Sequence, residues 1–261
     1  MGRALIGGLL RSGTRPEQLS VGESQPAARE VLARELGVTA VPDNREAIAG
    51  ASIVVLAVKP QDAAAVLAPL AGALSAARPL LVSVAAGVRI ATLEGWCGRD
   101  IPVVRAMPNR PALIGAGATG LYAPAGVGAP LRACAERVLK AVGEVAWVAT
   151  EDALDVVTAL SGSGPAYFFL LAELMAEAGE QLGLEAETAR RLAAATLYGS
   201  GLLAHSADRD LAQLRAEVTS RGGTTEAALK ALQAANLRDT VRQALNAAAQ
   251  RSRELAAAPA T

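Results

Sequence analysis

Three apolar runs at 52–58, 79–84 and 103–107, separated by stretches of helical period, constrain this chain more than any other feature. Ser52-Ile53-Val54-Val55-Leu56-Ala57-Val58 is continuous and β-branched, which predicts a strand of a parallel sheet buried on both faces. Pro79-Leu80-Leu81-Val82-Ser83-Val84 and Val103-Val104-Arg105-Ala106-Met107 repeat the pattern. Small residues or a proline follow each run: Ala57, Val58, Lys59 and Pro60, then Ala85, Ala86 and Gly87, then Pro108 and Asn109. In an open α/β sheet, ligands bind outside the carboxyl ends of the strands, and small residues there let a dinucleotide approach the backbone. The predicted fold class is therefore α/β, with a Rossmann-type dinucleotide-binding domain at the N-terminus.

The flanking segments fit this plan. Residues 5–10 read as the end of an amphipathic helix stopped by Gly13, 18–21 as a short strand, 27–36 as a helix closed by Gly37, and 62–74 as a helix. A unit of this kind opens with a hydrophobic strand and a Gly-x-Gly-x-x-Gly turn that holds a pyrophosphate at a helix N-terminus. Met1 and Gly2 read as lying already inside that turn, so the expectation is a misassigned start that omits roughly a dozen upstream residues. The neighbours of that strand should then show apolar flanks. The literal pattern Gly115-Ala116-Gly117-Ala118-Thr119-Gly120 leads into Leu121-Tyr122-Ala123-Pro124 with no helix after it, and is read as a decoy.

From about Thr150 the chain turns helical in period and rich in Ala, Leu, Glu and Arg. This shift sets the expected domains at 1–150 and 151–261, the second all-helical. Thr150 suits an N-cap, with Glu151 and Asp152 as capping charges for a helix to about Leu160. Further helices are predicted at 166–179, 186–204, 210–218, 225–235 and 237–255. Leu160-Ser161-Gly162-Ser163-Gly164-Pro165-Ala166-Tyr167 and Val218-Thr219-Ser220-Arg221-Gly222-Gly223-Thr224-Thr225 each stand at a predicted helix mouth, where free N–H groups could bind an anion or a carboxylate. Glu173, Glu177 and Glu180 share a helical face but have no His or Asp beside them, so they read as solvated and no metal is expected. His205 reads as a surface residue, and Trp96 and Trp147 as packing.

Composition excludes several classes. Acidic and basic residues balance at 25 each with no long run of either sign, so nucleic acid and membrane surfaces are not expected partners. The run ending at Val58 is far shorter than the roughly 20 residues that cross a bilayer. Cys97 and Cys134 show no metal-ligand spacing, which fits a reduced, soluble, cytoplasmic protein acting on a small molecule. Small residues on the helices, as in Ala193-Ala194-Ala195, allow close helix packing, within one chain or against a second copy.

Ser161-Gly162-Ser163-Gly164-Pro165-Ala166-Tyr167, Ala57-Val58-Lys59-Pro60, Ser83-Val84-Ala85-Ala86-Gly87, Arg105-Ala106-Met107-Pro108-Asn109 and Ser220-Arg221-Gly222-Gly223-Thr224-Thr225 together resemble pyrroline-5-carboxylate reductase, in order and over nearly the whole chain. The resemblance implies a helical domain that dimerises with its twin, with larger homo-oligomers in some members. It implies NADPH as cofactor, with NADH possible, and 1-pyrroline-5-carboxylate as substrate. Asn44 is similar to the family asparagine on the adenosine side of the cofactor. The residues 57–60 correspond to the loop beside the nucleotide, 85–87 to the turn at the nicotinamide ribose, and Pro108 and Asn109 to the next strand end. Thr225 matches the threonine whose hydroxyl meets the ring nitrogen, while Ser220, Gly223 and Thr224 match the loop that holds the carboxylate. Arg110 and Arg221 depart from the residues usual in the family. Glu23, at the end of the second expected strand, offers a carboxylate near the ribose and no arginine for a 2′-phosphate, which tilts the reading toward NADH tolerance.

The chemistry agrees with that resemblance. Reducing a cyclic imine needs a hydride at the C=N carbon and a proton on nitrogen, and an imine can enter already protonated from water. No strong side-chain acid is required, and orientation is what the protein must supply. The competing readings are another imine or hydroxyacid reductase on the same plan, and a non-catalytic dimeric relative, a binding or assembly protein, that lost its nucleotide turn but kept its helices.

Overall fold

The structure, a computed structural model, describes residues 1–257, so residues 258–261 of the expected second domain lie outside the described part. It divides into two compact units, Met1–Ser163 together with the segment from Ala248 onward, and Gly164–Ala247. Composition changes near Thr150, but the chain leaves the first unit only after Ser163.

The first unit begins with helix α1 (Gly2–Arg11), whose inward stripe is Ala4, Leu5, Gly7 and Gly8. A Cβ on Gly8 would collide with the Ala141 carbonyl, so helix and turn pack backbone to backbone. Strand β1 (Ser20–Gly22) follows, then α2 (Pro26–Leu36), started by a proline and stopped by Gly37 in the left-handed region. Next come β2 (Thr39–Val41) and α3 (Asn44–Ile48), the latter capped by the Asp43 carboxylate, which accepts from the Arg45 N–H at 2.8 Å. After β3 (Ile53–Leu56), the single helix expected over 62–74 is broken into α4 (Ala63–Leu67) and α5 (Ala71–Ala77), with short 3-10 turns around Pro60 and Pro69. Proline has no N–H to continue an α-helix, and the pieces tighten accordingly. Then follow β4 (Leu80–Ser83), α6 (Ile90–Cys97), β5 (Val103–Met107), β6 (Gly117–Tyr122), α7 (Ala129–Lys140), β7 (Gly143–Trp147) and α8 (Ala153–Val157). A π turn, Thr158–Gly162, ends the run.

Five strands form one sheet in the order β3-β4-β5-β6-β7, parallel throughout except for the β5–β6 pair. Period-two alternation divides their side chains between two cores. Leu80, Val82 and Val104 face Leu5, Leu121, Leu139 and Val142, whereas Leu81 and Val103 face Leu67, Leu74, Leu93 and Cys97. Burying each such leucine contributes about 1.5–3 kcal/mol, which is why the middle strands hold the fold.

Among the described residues, β1 and β2 pair only with each other, as a separate parallel ribbon. The run at 52–58 was expected to be buried on both faces, yet β3 is an edge strand whose Ile53, Val54 and Val55 are half-buried, while all of β4 is buried. A strand paired on one side only leaves its other edge and flanks open. Gly115–Gly120, the decoy pattern, supplies most of β6: no helix follows it, and a Cβ on Gly120 would lie 2.6 Å from Val157 of α8.

The second unit is helical: α9 (Gly164–Gln181), α10 (Ala186–Ser206), α11 (Leu211–Glu217), α12 (Thr224–Ala234) and α13 (Leu237–Ala257), of which the part from Ala248 belongs to the first unit. α9 and α10 form a hairpin closed by Gly183 at φ 104°, with Ala176, Ala189 and Ala193 between them. The Glu185 carboxylate caps α10 on the N–H groups of Glu187 and Thr188, and these bonds hold its pKa below the usual range. Phe168, Phe169, Leu171, Leu174 and Met175 stand exposed on α9. By length and composition the helical run Ala153–Gln181 would suffice to cross a membrane, an apolar stretch longer than the sequence reading found because Gly162 and Pro165 hide its continuity.

Gly143 has φ 143°, and a Cβ there would collide with the Gly117 backbone across the β6–β7 pair. Gly143→Ala is expected to destabilise the first unit by roughly 3 kcal/mol, seen in a thermal melt as a Tm lower by roughly 5–10 °C.

Candidate functional site

Because β3, β4 and β5 are parallel, their carboxyl ends open on one edge of the sheet. Ala57 and Val58 are half-buried there, and Lys59 and Pro60 are exposed at the start of a 3-10 turn. Ala85 is buried, with its N–H donated to the Ser83 hydroxyl at 3.3 Å, Ala86 is exposed, and Gly87 takes φ 76°. Pro108 and Asn109 are buried at the end of β5. Met1 is the N-cap of α1, and a Cβ on Gly2 would sit 3.4 Å from that of Ala57, so the helix start lies directly against the β3 loop. The first N–H groups of a helix lack intrahelical partners and favour an anion. A cavity of about 300 Å³ opens beside it, lined by Met1, Pro108, Asn109, Arg110, Leu113 and Gly162. The structure thus brings together Met1, Pro108 and Asn109 from distant parts of the sequence.

A second hollow, of about 430 Å³, contains Asn44 beside Pro42, Asp43, Arg45 and Val66. The Asn44 side-chain oxygen occupies the place where a Gly22 Cβ would be, so the glycine ending β1 is needed for that asparagine to pack. Glu23 follows directly, and its carboxylate accepts from the Gln25 N–H at 2.9 Å.

Asn109 is 9% exposed and uses both ends of its amide. Its Nδ2 donates to the Ser161 carbonyl at 3.0 Å, and its Oδ1 accepts from the Ala118 N–H at 2.9 Å. It therefore ties the π turn to the start of β6. The Ser161 segment is not the open helix mouth that its composition suggested. The Ser163 N–H bonds to the Thr158 carbonyl at 2.8 Å, and α9 starts at the next residue. The π turn carries the helical path through, and such turns recur at functional positions. A Cβ on Gly162 would come 2.7 Å from the Met107 methyl group, which explains the glycine.

In the second unit, Gly223 is the N-cap of α12, with Thr224 exposed and Thr225 half-buried in its first turn. Ser220 folds its hydroxyl over Gly223 so closely that a Cβ there would clash. The Gly223 N–H donates to the Ser220 carbonyl at 3.0 Å, and the Gly222 N–H to Glu226 Oε2 at 2.8 Å. The first N–H groups of α12, those of Thr224 and Thr225 among them, have no partner within the helix. His205 lies exposed on α10.

Thr150, Glu151 and Asp152 stand at the start of α8 as expected, with Asp152 its N-cap residue and the Thr150 hydroxyl accepting from the Ala153 N–H at 3.3 Å, but the two carboxylates are also claimed by tertiary partners. Glu151 Oε1 accepts from Arg105 Nη1 at 2.7 Å and from the Ile90 N–H at 2.8 Å, and Asp152 pairs with Arg89. Arg89 also donates to Asp155 at 3.1 Å. The hydrogen bond that Arg89 donates to Asp152 and the charge of Asp155 raise the Arg89 pKa. The sequence reading missed this network, since partners up to 66 residues apart leave no local pattern.

The fold and these strand-end loops define the class: a Rossmann-type α/β unit joined to a helical unit. Residues 151–255 match the family model for pyrroline-5-carboxylate reductase dimerisation, and residues 1–87 that for NADP oxidoreductase, coenzyme F420-dependent. The Pseudomonas aeruginosa pyrroline-5-carboxylate reductase is 49% identical, over 98% of this chain and 93% of its own length. The solved Coxiella burnetii pyrroline-5-carboxylate reductase superposes with a TM-score of 0.95 at 42% identity, covering 97% of this chain and 94% of that one. A Plasmodium falciparum pyrroline carboxylate reductase, solved with NADP bound, gives 0.81 at 29% identity, covering 98% and 95%. The chain belongs to the pyrroline-5-carboxylate reductase family.

Asn109→Asp keeps the acceptor for the Ala118 N–H but sets an oxygen against the Ser161 carbonyl. The expected loss is about 2 kcal/mol or more of stability, checked by chemical denaturation, with Asn109→Ala at least as damaging.

Proposed function

We propose that this chain reduces 1-pyrroline-5-carboxylate to L-proline with NADPH as hydride donor, the last step of proline synthesis. The observation that carries the reading is the 49% identity spread over nearly all of both chains. It is supported by Ala57 after β3 and by Ala85, Ala86 and Gly87 after β4 on the α/β edge. The cofactor residues in this reading are Met1 and Gly2 at the start of α1, Glu23 and Asn44 on the adenosine side, Ala57, Val58, Lys59 and Pro60 beside the nucleotide, Ala85, Ala86 and Gly87 at the nicotinamide ribose, and Pro108 and Asn109 at the next strand end. The fit is physical: Ala85, Ala86 and Gly87 present no side chain beyond a methyl group, and α1 offers free N–H groups to a phosphate. The Asn109 amide is engaged within the protein, so its part is to shape the loop. Glu23 beside the ribose supports use of NADH as well.

When bound, the nicotinamide supplies the hydride. The protein orients the substrate. Ser220 and Gly223 shape the loop, the N–H groups of Thr224 and Thr225 hold the carboxylate, and the Thr225 hydroxyl meets the imine nitrogen, which has taken its proton from water. The working form in this reading is a cytoplasmic homodimer or larger homo-oligomer, with neither membrane nor nucleic acid as partner. The exposed apolar residues of α9 fall inside the segment matched by the dimerisation model, which supports a second copy as their cover.

The first test is oxidation of NADPH, and separately of NADH, with 1-pyrroline-5-carboxylate as acceptor; no turnover with either would overturn the proposal. Thr225→Ala is expected to lower kcat by roughly 10- to 100-fold while leaving NADPH affinity within twofold, a split that equal losses would contradict. Leu171→Asp is expected to shift the assembly toward monomer in light scattering, and an unchanged mass would remove α9 from the interface.

A further inference from the structure

The turn at 85–87 is held by groups far from it in sequence. Arg89, two residues beyond Gly87, pairs with Asp152 and donates to Asp155 Oδ2 at 3.1 Å. Asp155 is 4% exposed, and its other oxygen accepts the Ser252 hydroxyl at 2.7 Å; Ser252, 7% exposed, lies on the last part of α13. The adjoining Ile90 N–H is fixed by Glu151, which also carries the buried Arg105. The same helix end covers the turn itself, since a Cβ on Gly87 would lie 3.7 Å from the backbone of Ala256. A carboxylate this deeply buried is tolerated only with its partners in place, and removing one leaves the other imperfectly satisfied.

We propose that Ser252 and Asp155 latch the end of α13 onto Arg89 and thereby hold the turn at 85–87 in the shape that receives the dinucleotide. Ser252 is then a positioning residue of the reductase reaction, although 97 residues separate it from Asp155. The inference rests on the reading that this turn meets the nicotinamide ribose. It differs from a general stabilising role, because its effect is confined to residues 85–90 and to cofactor affinity.

The test uses the full chain with Ser252→Ala, Ser252→Thr and Asp155→Asn. In Ser252→Ala, amide hydrogen exchange over 85–90 should accelerate roughly tenfold, with β6 and β7 unchanged. KM for NADPH should rise by a similar factor, with kcat and KM for the imine within twofold. Ser252→Thr, which keeps the hydroxyl, should restore both values, and Asp155→Asn should move them in the same direction as Ser252→Ala. Exchange that is unchanged at 85–90, or that quickens equally in β7, overturns the latch. So does an unchanged KM for NADPH in a Ser252→Ala chain whose wild type binds NADPH. A wild-type chain that fails to bind NADPH overturns the function proposed above and, with it, the latch's role in receiving the dinucleotide. That outcome is separable from the others because exchange is read without cofactor.

Discussion

Burial of β4 and β5 between two helical layers is the constraint on which the rest depends. Leu80, Leu81, Val82, Val103 and Val104 are all essentially out of solvent, and neighbouring residues alternate between the two cores. A one-residue slip of either strand would send every side chain to the wrong layer. The register is therefore held firmly, and with it the height at which each strand stops. Residues 85–87 and 108–109 reach a common edge because their strands cannot slide.

The two units solve the problem of burial differently. The first encloses its apolar residues between sheet and helices. The second has Ala176, Ala189 and Ala193 between its two long helices and leaves Phe168, Phe169, Leu171, Leu174 and Met175 in the open. Alanine between helices brings backbones close but buries little area, so the larger residues on the outer face are available for association. That face lies within the segment 151–255 matched by the pyrroline-5-carboxylate reductase dimerisation model.

Much of the architecture was legible because it depends on local pattern. The runs that became β4 and β5, the stop at Gly37 and the helices α9, α10, α12 and α13 all follow from periodicity and from proline or glycine punctuation. What stayed hidden depends on partners. The 115–120 pattern reads as a decoy, and most of it becomes β6 by pairing with β5 and β7, its glycines admitting Val157 and Gly143 where no side chain fits. Glu151 and Asp152 stand at the start of α8, as their pattern suggests, and they also anchor Arg105, Ile90 and Arg89, partners that no local pattern shows. In the candidate site, the strand-end residues and Gly162 were visible within motifs, whereas Leu113 and the π turn were not, and only folding brings Gly162 and Leu113 beside Met1 and Asn109.

By itself the sequence determined the α/β-then-helical order, the small residues at the strand ends and the family, because each is written in neighbouring residues or in motifs that keep their order. Only the tertiary structure decided that β3 is an edge strand, that Ser163 closes a π turn instead of opening a helix, and that Ser252 meets Asp155. Each of these depends on a pairing between segments far apart in the chain, and hydrogen bonds across such distances leave no periodicity for a sequence to display.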